Sequence, residues 1–359
     1  MLASFVASVL LPSIAIGEEP NATVSEDSAV GGDEAHLNVT VFYATNRRQN
    51  GDEATAEIFS GERGEPRYGQ CRVEFTPIPI INQLGSMVPF YVPIETNQVS
   101  IVEQADTRLF WDNLVTSAAK AASKSVIVFV HGYNYDFERT CRMAAEMQRV
   151  LLGQATVIMI SWPSNGKPTD YLPDQVDLEW SVPFLANFLR QVGDRVGPEN
   201  LQILAHSMGS RGIFFALERL GADLERQPLV NRLVLLAPDF DSGTFVNLLP
   251  RLGPLAGDIT LYASSNDTPL KVSRQLNGHP RLGEAGEFLT VIEGVTTIDV
   301  SPVGRYQILG HEYFYFHPNV VADLVMLLGS GASAAERPGL RAKRRNGIPY
   351  WEIAEDAMP

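Results

Sequence analysis

LQILAHSMGSRGIFFALERL (201–220) decides the fold. Its opening, LQILA (201–205), reads as a strand, and SMGSRGIFFALERL (207–220) reads as a helix. The segment Ala205-His206-Ser207-Met208-Gly209 therefore falls on the turn between them. A serine on so sharp a strand-to-helix turn is pushed out at the carboxyl edge of a sheet with its Oγ exposed. The turn strains the backbone and brings helix and strand close, so small neighbours are needed, and Ala205 and Gly209 supply them. The usual pattern has Gly at the first position; Ala adds one methyl. The bland alternative is a serine that only caps the helix. A small-x-Ser-x-Gly string alone is a weak signal, so what surrounds it matters.

Outward from this turn the chain alternates strand-like and helix-like stretches, the pattern of a mainly parallel sheet with helices on its faces. SVIVFV (125–130) is a continuous apolar run of buried-strand type. TVIMISW (156–162), LVNRLVLLA (229–237), DITLYAS (258–264) and VTTIDV (295–300) are further strands. Helices are expected over 107–123, 136–152, 175–195 and 317–328. LNVTVFYAT (37–45) reads as the first strand, 46–70 as a polar loop, and CRVEFTPIPI (71–80) and QVSIV (98–102) as antiparallel hairpin material. The expected domain runs from 37 to 328.

Acyl transfer at a serine needs three further elements. Fixed donors must face the oxyanion. Val130-His131-Gly132-Tyr133-Asn134 directly follows the strand 125–130, and the N–H groups of Tyr133 and Met208 are the expected pair. The serine also needs an imidazole base. Of six histidines, His36 precedes the fold, His131 belongs to the donor loop, His206 adjoins the serine and His317 opens a helix. His279 and His311 remain, and chain order favours His311. An acid must orient that imidazole. Asp267 follows the strand 258–264, and Ser207…Asp267…His311 is the hydrolase order. Asp239 is the rival acid and a candidate pocket residue, whereas Asp241 reads as a plain helix cap. Trp162 and Ser164 in SWPSNG (161–166) are candidates to line the substrate pocket, against a turn imposed by Pro163, Asn165 and Gly166.

Composition bounds the rest. The chain has 359 residues, 45% hydrophobic and 19% charged, with a net charge of −14. That is a globular composition, and the acidic balance argues against nucleic-acid or anionic-membrane partners. Cys71 and Cys141 are the two cysteines. They are too few for a disulfide framework or a thiolate metal cluster, and spacing leaves a single bridge open. No metal-ligand spacing such as His-Glu-x-x-His occurs, so no metal or organic cofactor is expected.

LASFVASVLLPSIAI (2–16) is apolar and uncharged, too short to be read as a membrane span and about right for an export-signal core, although no Lys or Arg precedes it. Residues 1–17 are read as that signal, with a buried or disordered tail as the alternative, and 18–36 as an acidic linker. The protein is then periplasmic or secreted; without export it is cytoplasmic. Residues 329–359 are expected to form a tail carrying Arg337, Arg341, Lys343, Arg344 and Arg345. A nucleic-acid or acidic-lipid patch is one reading; an extended tail whose Tyr350 and Trp351 pack onto the acidic body is preferred.

VFYATNR (41–47), FVHGYN (129–134), SWPSNG (161–166), AHSMGSR (205–211), LAPDFD (236–241), YASSND (262–267) and GHEYF (310–314) together resemble the α/β-hydrolase superfamily. More narrowly, they resemble a bacterial family of esterase- or lipase-like serine hydrolases of undetermined substrate. The resemblance implies an eight-stranded, mainly parallel sheet with helices on both faces and a Ser207, Asp267, His311 triad. The expected function is cleavage of a small-molecule carboxylic ester through an acyl-enzyme. The rivals are an acyltransferase using the same triad and a catalytically silent binding module of the cell envelope. Oligomeric state is not legible.

Overall fold

The structure, a computed structural model, describes residues 37–51, 58–77, 95–221, 228–304 and 309–355. The expected export signal and acidic linker lie outside the described residues.

Eleven strands form one sheet among the described residues. They are β1 (Leu37–Gln49), β2 (Phe59–Pro77), β3 (Glu95–Gln104), β4 (Ser125–Val130), β5 (Ala155–Ser161), β6 (Leu201–His206), β7 (Val230–Leu236), β8 (Ala256–Ala263), β9 (Thr296–Asp299), β10 (Leu340–Arg345) and β11 (Ile348–Ile353). Their spatial order is β10-β11-β9-β8-β7-β6-β4-β5-β1-β2-β3. The helices are α1 (Thr107–Lys120), α2 (Phe137–Val150), α3 (Tyr171–Val196), α4 (Gly209–Gly221), α5 (Ser242–Leu252), α6 (Thr268–Asn277), α7 (Tyr313–Phe316) and α8 (Pro318–Val325).

The strands from β1 through β11 across the centre run parallel, while β2, β3 and β10 are antiparallel additions at the two edges. The expected count of eight strands is thus corrected to eleven. Most of the expected polar loop 46–70 is strand, because backbone pairing with β1 does not require apolar side chains where the strand faces water. The tail expected from 329 onward folds into the β10–β11 hairpin, whose Trp351 pairs with Ile298 of β9. The sheet therefore continues past 328 to Ile353. The hairpin turn is Asn346-Gly347, both at positive φ, the two-residue turn whose twist suits flanking strands.

Every residue of β4 is buried, which explains its continuous apolar run. Val126, Val128 and Val130 face one cluster with Leu114, Leu185, Ile213 and Phe245 from α1, α3, α4 and α5. Ile127 and Phe129 face the other, with Ala144 of α2 and Leu324 of α8. A disulfide joins Cys71 of β2 to Cys141 of α2, 70 residues apart. Closing a loop of that length stabilises the fold by about 4 kcal/mol in the chain-entropy picture.

Candidate active site

The parallel strands deliver three side chains to one rim. Ser207 follows β6, Asp267 follows β8, and His311 precedes α7. The Ser207 Oγ lies 2.9 Å from His311 Nε2. His311 Nδ1–H donates to Asp267 Oδ2 at 2.7 Å. A carboxylate only accepts, which fixes the proton on Nδ1 and leaves Nε2 free to take one from the serine. Asp267 also caps a helix: its Oδ1 accepts the Leu270 N–H at 2.9 Å, at the start of α6. His279, the rival base, is exposed.

Ser207 has φ +51°, a left-handed conformation that costs a non-glycine residue about 1–3 kcal/mol. Its N–H donates to the Leu236 carbonyl at 2.9 Å, and its carbonyl accepts the Asp239 N–H at 3.1 Å. These bonds to β7 and the loop after it hold the strained turn. Helix α4 accordingly starts at Gly209, two residues later than expected. Close approach explains the flanking glycines. A Cβ on Gly209 would lie 2.4 Å from the His131 carbonyl oxygen, and one on Gly132 would lie 2.7 Å from Ser207 Cβ. The HGYN loop thus packs directly against the serine. Among the described residues, the N–H groups of Tyr133 and Met208 have no protein acceptor, which leaves both available to an oxyanion.

Sequence reasoning missed the supports. Arg47, buried at the end of β1, donates to Ser161 Oγ at 2.8 Å and to the carbonyls of Ser164 and Tyr135 at 2.7 Å each. Burial pulls its pKa down to about 10, with Asp136 and Asp174 opposing, so it stays charged at neutral pH. Asp174 of α3 accepts from the Asn134 N–H at 3.1 Å, the Asn165 N–H at 3.0 Å and Ser164 Oγ at 2.5 Å. Together these two residues bind the HGYN loop to the SWPSNG loop. No sequence signal beyond their presence near quoted motifs marks them.

Two pocket expectations are corrected by this network. Trp162 is fully buried, stacks on the His131 ring at 4.8 Å and donates to the His131 carbonyl at 2.9 Å. Ser164 is buried, with its hydroxyl also accepting the Tyr135 N–H at 3.0 Å. Both hold the donor loop rather than line a pocket. Asp239 sits beside the site, its N–H bonded to the Ser207 carbonyl. Its carboxylate accepts from Arg281 Nε at 2.7 Å, Ser273 Oγ at 2.6 Å and Tyr171 OH at 2.8 Å, so it is engaged in a buried ion pair.

Residues 108–330, well over half of the chain, match the family described as alpha/beta hydrolase of unknown function (DUF900). The chain belongs to this family. The mostly parallel sheet with helices fits the alpha/beta hydrolase fold that the family's description names. An uncharacterized protein of Nostoc sp. is 28% identical over 126 residues, covering 28% of this chain and 33% of that protein; the chain thus spans about a third of the length of that curated relative. Among solved structures, a protein assigned to the alpha/beta hydrolase superfamily from Xanthomonas campestris is 14% identical over 57% of this chain and 96% of its own, with a TM-score of 0.31. A thermostable carboxylesterase cloned from a metagenomic library is 12% identical over 73% of this chain and 83% of its own, with a TM-score of 0.35. At these scores the fold assignment rests on the family match and the sheet topology.

Burial opposes a charge on His311, but Asp267 facing it more than compensates, and the imidazole pKa lies above its usual value of 6.5. A base must be neutral, so kcat/KM should rise with pH through that ionisation. Asp267→Asn removes the opposing charge. The midpoint of the acid limb is expected to move to lower pH while the plateau falls by about 10⁴; a pH–rate profile of both proteins checks this, and an unmoved midpoint overturns the pairing.

Proposed function

We propose that this chain is a serine hydrolase that cleaves carboxylic esters through an acyl-enzyme. The hydrogen-bonded run from Ser207 Oγ through His311 to Asp267 carries the reading. Ser207 Oγ attacks the ester carbonyl as His311 Nε2 takes its proton. The N–H groups of Tyr133 and Met208 hold the oxyanion, each worth about 3–4 kcal/mol of barrier. The tetrahedral adduct collapses, the C–O bond to the alcohol breaks, and His311 returns the proton to that alcohol. Water then attacks the acyl-serine by the same sequence and releases the carboxylic acid.

The test is a fluorophosphonate probe on purified protein, followed by acyl esters of graded chain length. Labelling and turnover are expected in wild type and absent in Ser207→Ala. A folded wild type that takes no probe would favour the silent binding module. We also place the enzyme in an oxidising compartment, the periplasm or the exterior. The buried Cys71–Cys141 bridge supports this, because such bridges persist where thiols are not kept reduced. The same probe applied to cell fractions reads it out: labelling confined to the cytosol sinks the placement.

A further inference from the structure

The residue after the base is held by the loop that carries the oxyanion donors. Glu312 accepts from the Tyr135 hydroxyl and from the Arg139 guanidinium. Arg139 lies 4.2 Å over the Tyr135 ring and donates to the Asn134 carbonyl at 3.3 Å. Tyr135 is buried, and the Glu312 side chain is 14% exposed. These contacts join the chain that leaves β4 to the chain that enters α7, and the two loops share no strand pairing. Arg139 sits two residues from the disulfide-bonded Cys141 on α2, so the cationic half of the clamp stands on an anchored helix.

We propose that Glu312 is a positioning residue: gripped by Tyr135 and Arg139, it fixes His311 over Ser207 and ties the base to the oxyanion loop. The inference rests on the serine-hydrolase reading. The carboxylate also acts on the base electrostatically. His311 is faced by Asp267 at the start of α6, Asp239 after β7, and His206 at the end of β6. The His206 ring lies 4.8 Å from that of His311 and is held neutral by burial and its cationic neighbours. Glu312 adds a negative charge from the histidine's own loop, and that charge is ion-paired with Arg139.

A structural clamp alone would not move the proton affinity of His311 in opposite directions, and a charged one does. The titration midpoint of His311, read from its ring proton resonance by NMR, is expected to fall by about one pH unit in Glu312→Gln and to rise in Arg139→Gln. Phosphonylation of Ser207 at a pH where His311 is neutral in both proteins is expected to slow by about tenfold to a hundredfold in Glu312→Gln, as the imidazole loses its fixed seat. Midpoints that stay put, or that shift the same way in both variants, overturn the proposal. So does a Glu312→Gln protein labelled as fast as a wild type that does take the probe. Opposed midpoint shifts in the two variants, beside a wild type that takes no probe, would uphold the clamp and bring down the hydrolase reading instead.

Discussion

His311→Ala is expected to lower ester turnover by about four to six orders of magnitude, or roughly 5–8 kcal/mol of barrier. Among the described residues, His311 is the side chain that hydrogen-bonds the Ser207 hydroxyl. His206, whose ring lies 4.8 Å from that of His311, is fully buried and held neutral, its pKa pulled well below the usual 6.5 by burial first of all. The fold is expected to survive the change. Among the described residues, the His311 side chain hydrogen-bonds Ser207 and Asp267. Asp267 keeps its bond to the Leu270 N–H, and a buried carboxyl stripped of its partner can take up a proton. Turnover measured beside a melting curve checks both halves. A loss of less than tenfold, or an equal loss in His279→Ala, would remove His311 from the mechanism.

The largest expected effect on stability lies at Arg47, far from the chemistry in sequence. Arg47→Ala is expected to cost about 3–5 kcal/mol and roughly 10 °C in Tm. The guanidinium serves Ser161, Ser164 and Tyr135 at once, and its removal strands two buried carbonyls. Arg47→Lys should recover little, because a point charge on a flexible stem cannot reproduce three diverging bonds. Denaturant unfolding of the three proteins decides the matter; a loss under 1 kcal/mol in Arg47→Ala would mean that the loops hold themselves together.

The residues that carry their signal in local pattern were legible. β4 and β6 announce themselves by apolar runs. The turn at Ser207 is marked by small residues where backbone approaches backbone, and Asp241 caps α5 as its position before FVNLL suggests. Asp267 and His311 are ordered along the chain by the same strand sequence that brings them together in space. What stayed hidden depends on contacts between distant segments. Nothing local separates the caged Asp174 or the buried ion pair of Asp239 with Arg281 from ordinary loop and helix charges. Trp162 and Ser164 sit where a pocket residue would sit, and only the packing shows that their polar atoms turn inward. The edge strand β10 hid for another reason. Its Leu-Arg-Ala-Lys-Arg-Arg sequence is nearly all exposed, so it lacks an apolar face, although the Asn346-Gly347 turn was an available signal.

Since the chain holds only two cysteines and they are bonded to each other out of reach of solvent, the native protein offers no sulfhydryl to a maleimide. One cysteine introduced at an exposed position such as Leu309, two residues before the histidine, would be a unique attachment point for a dye or spin label, with no background to engineer away.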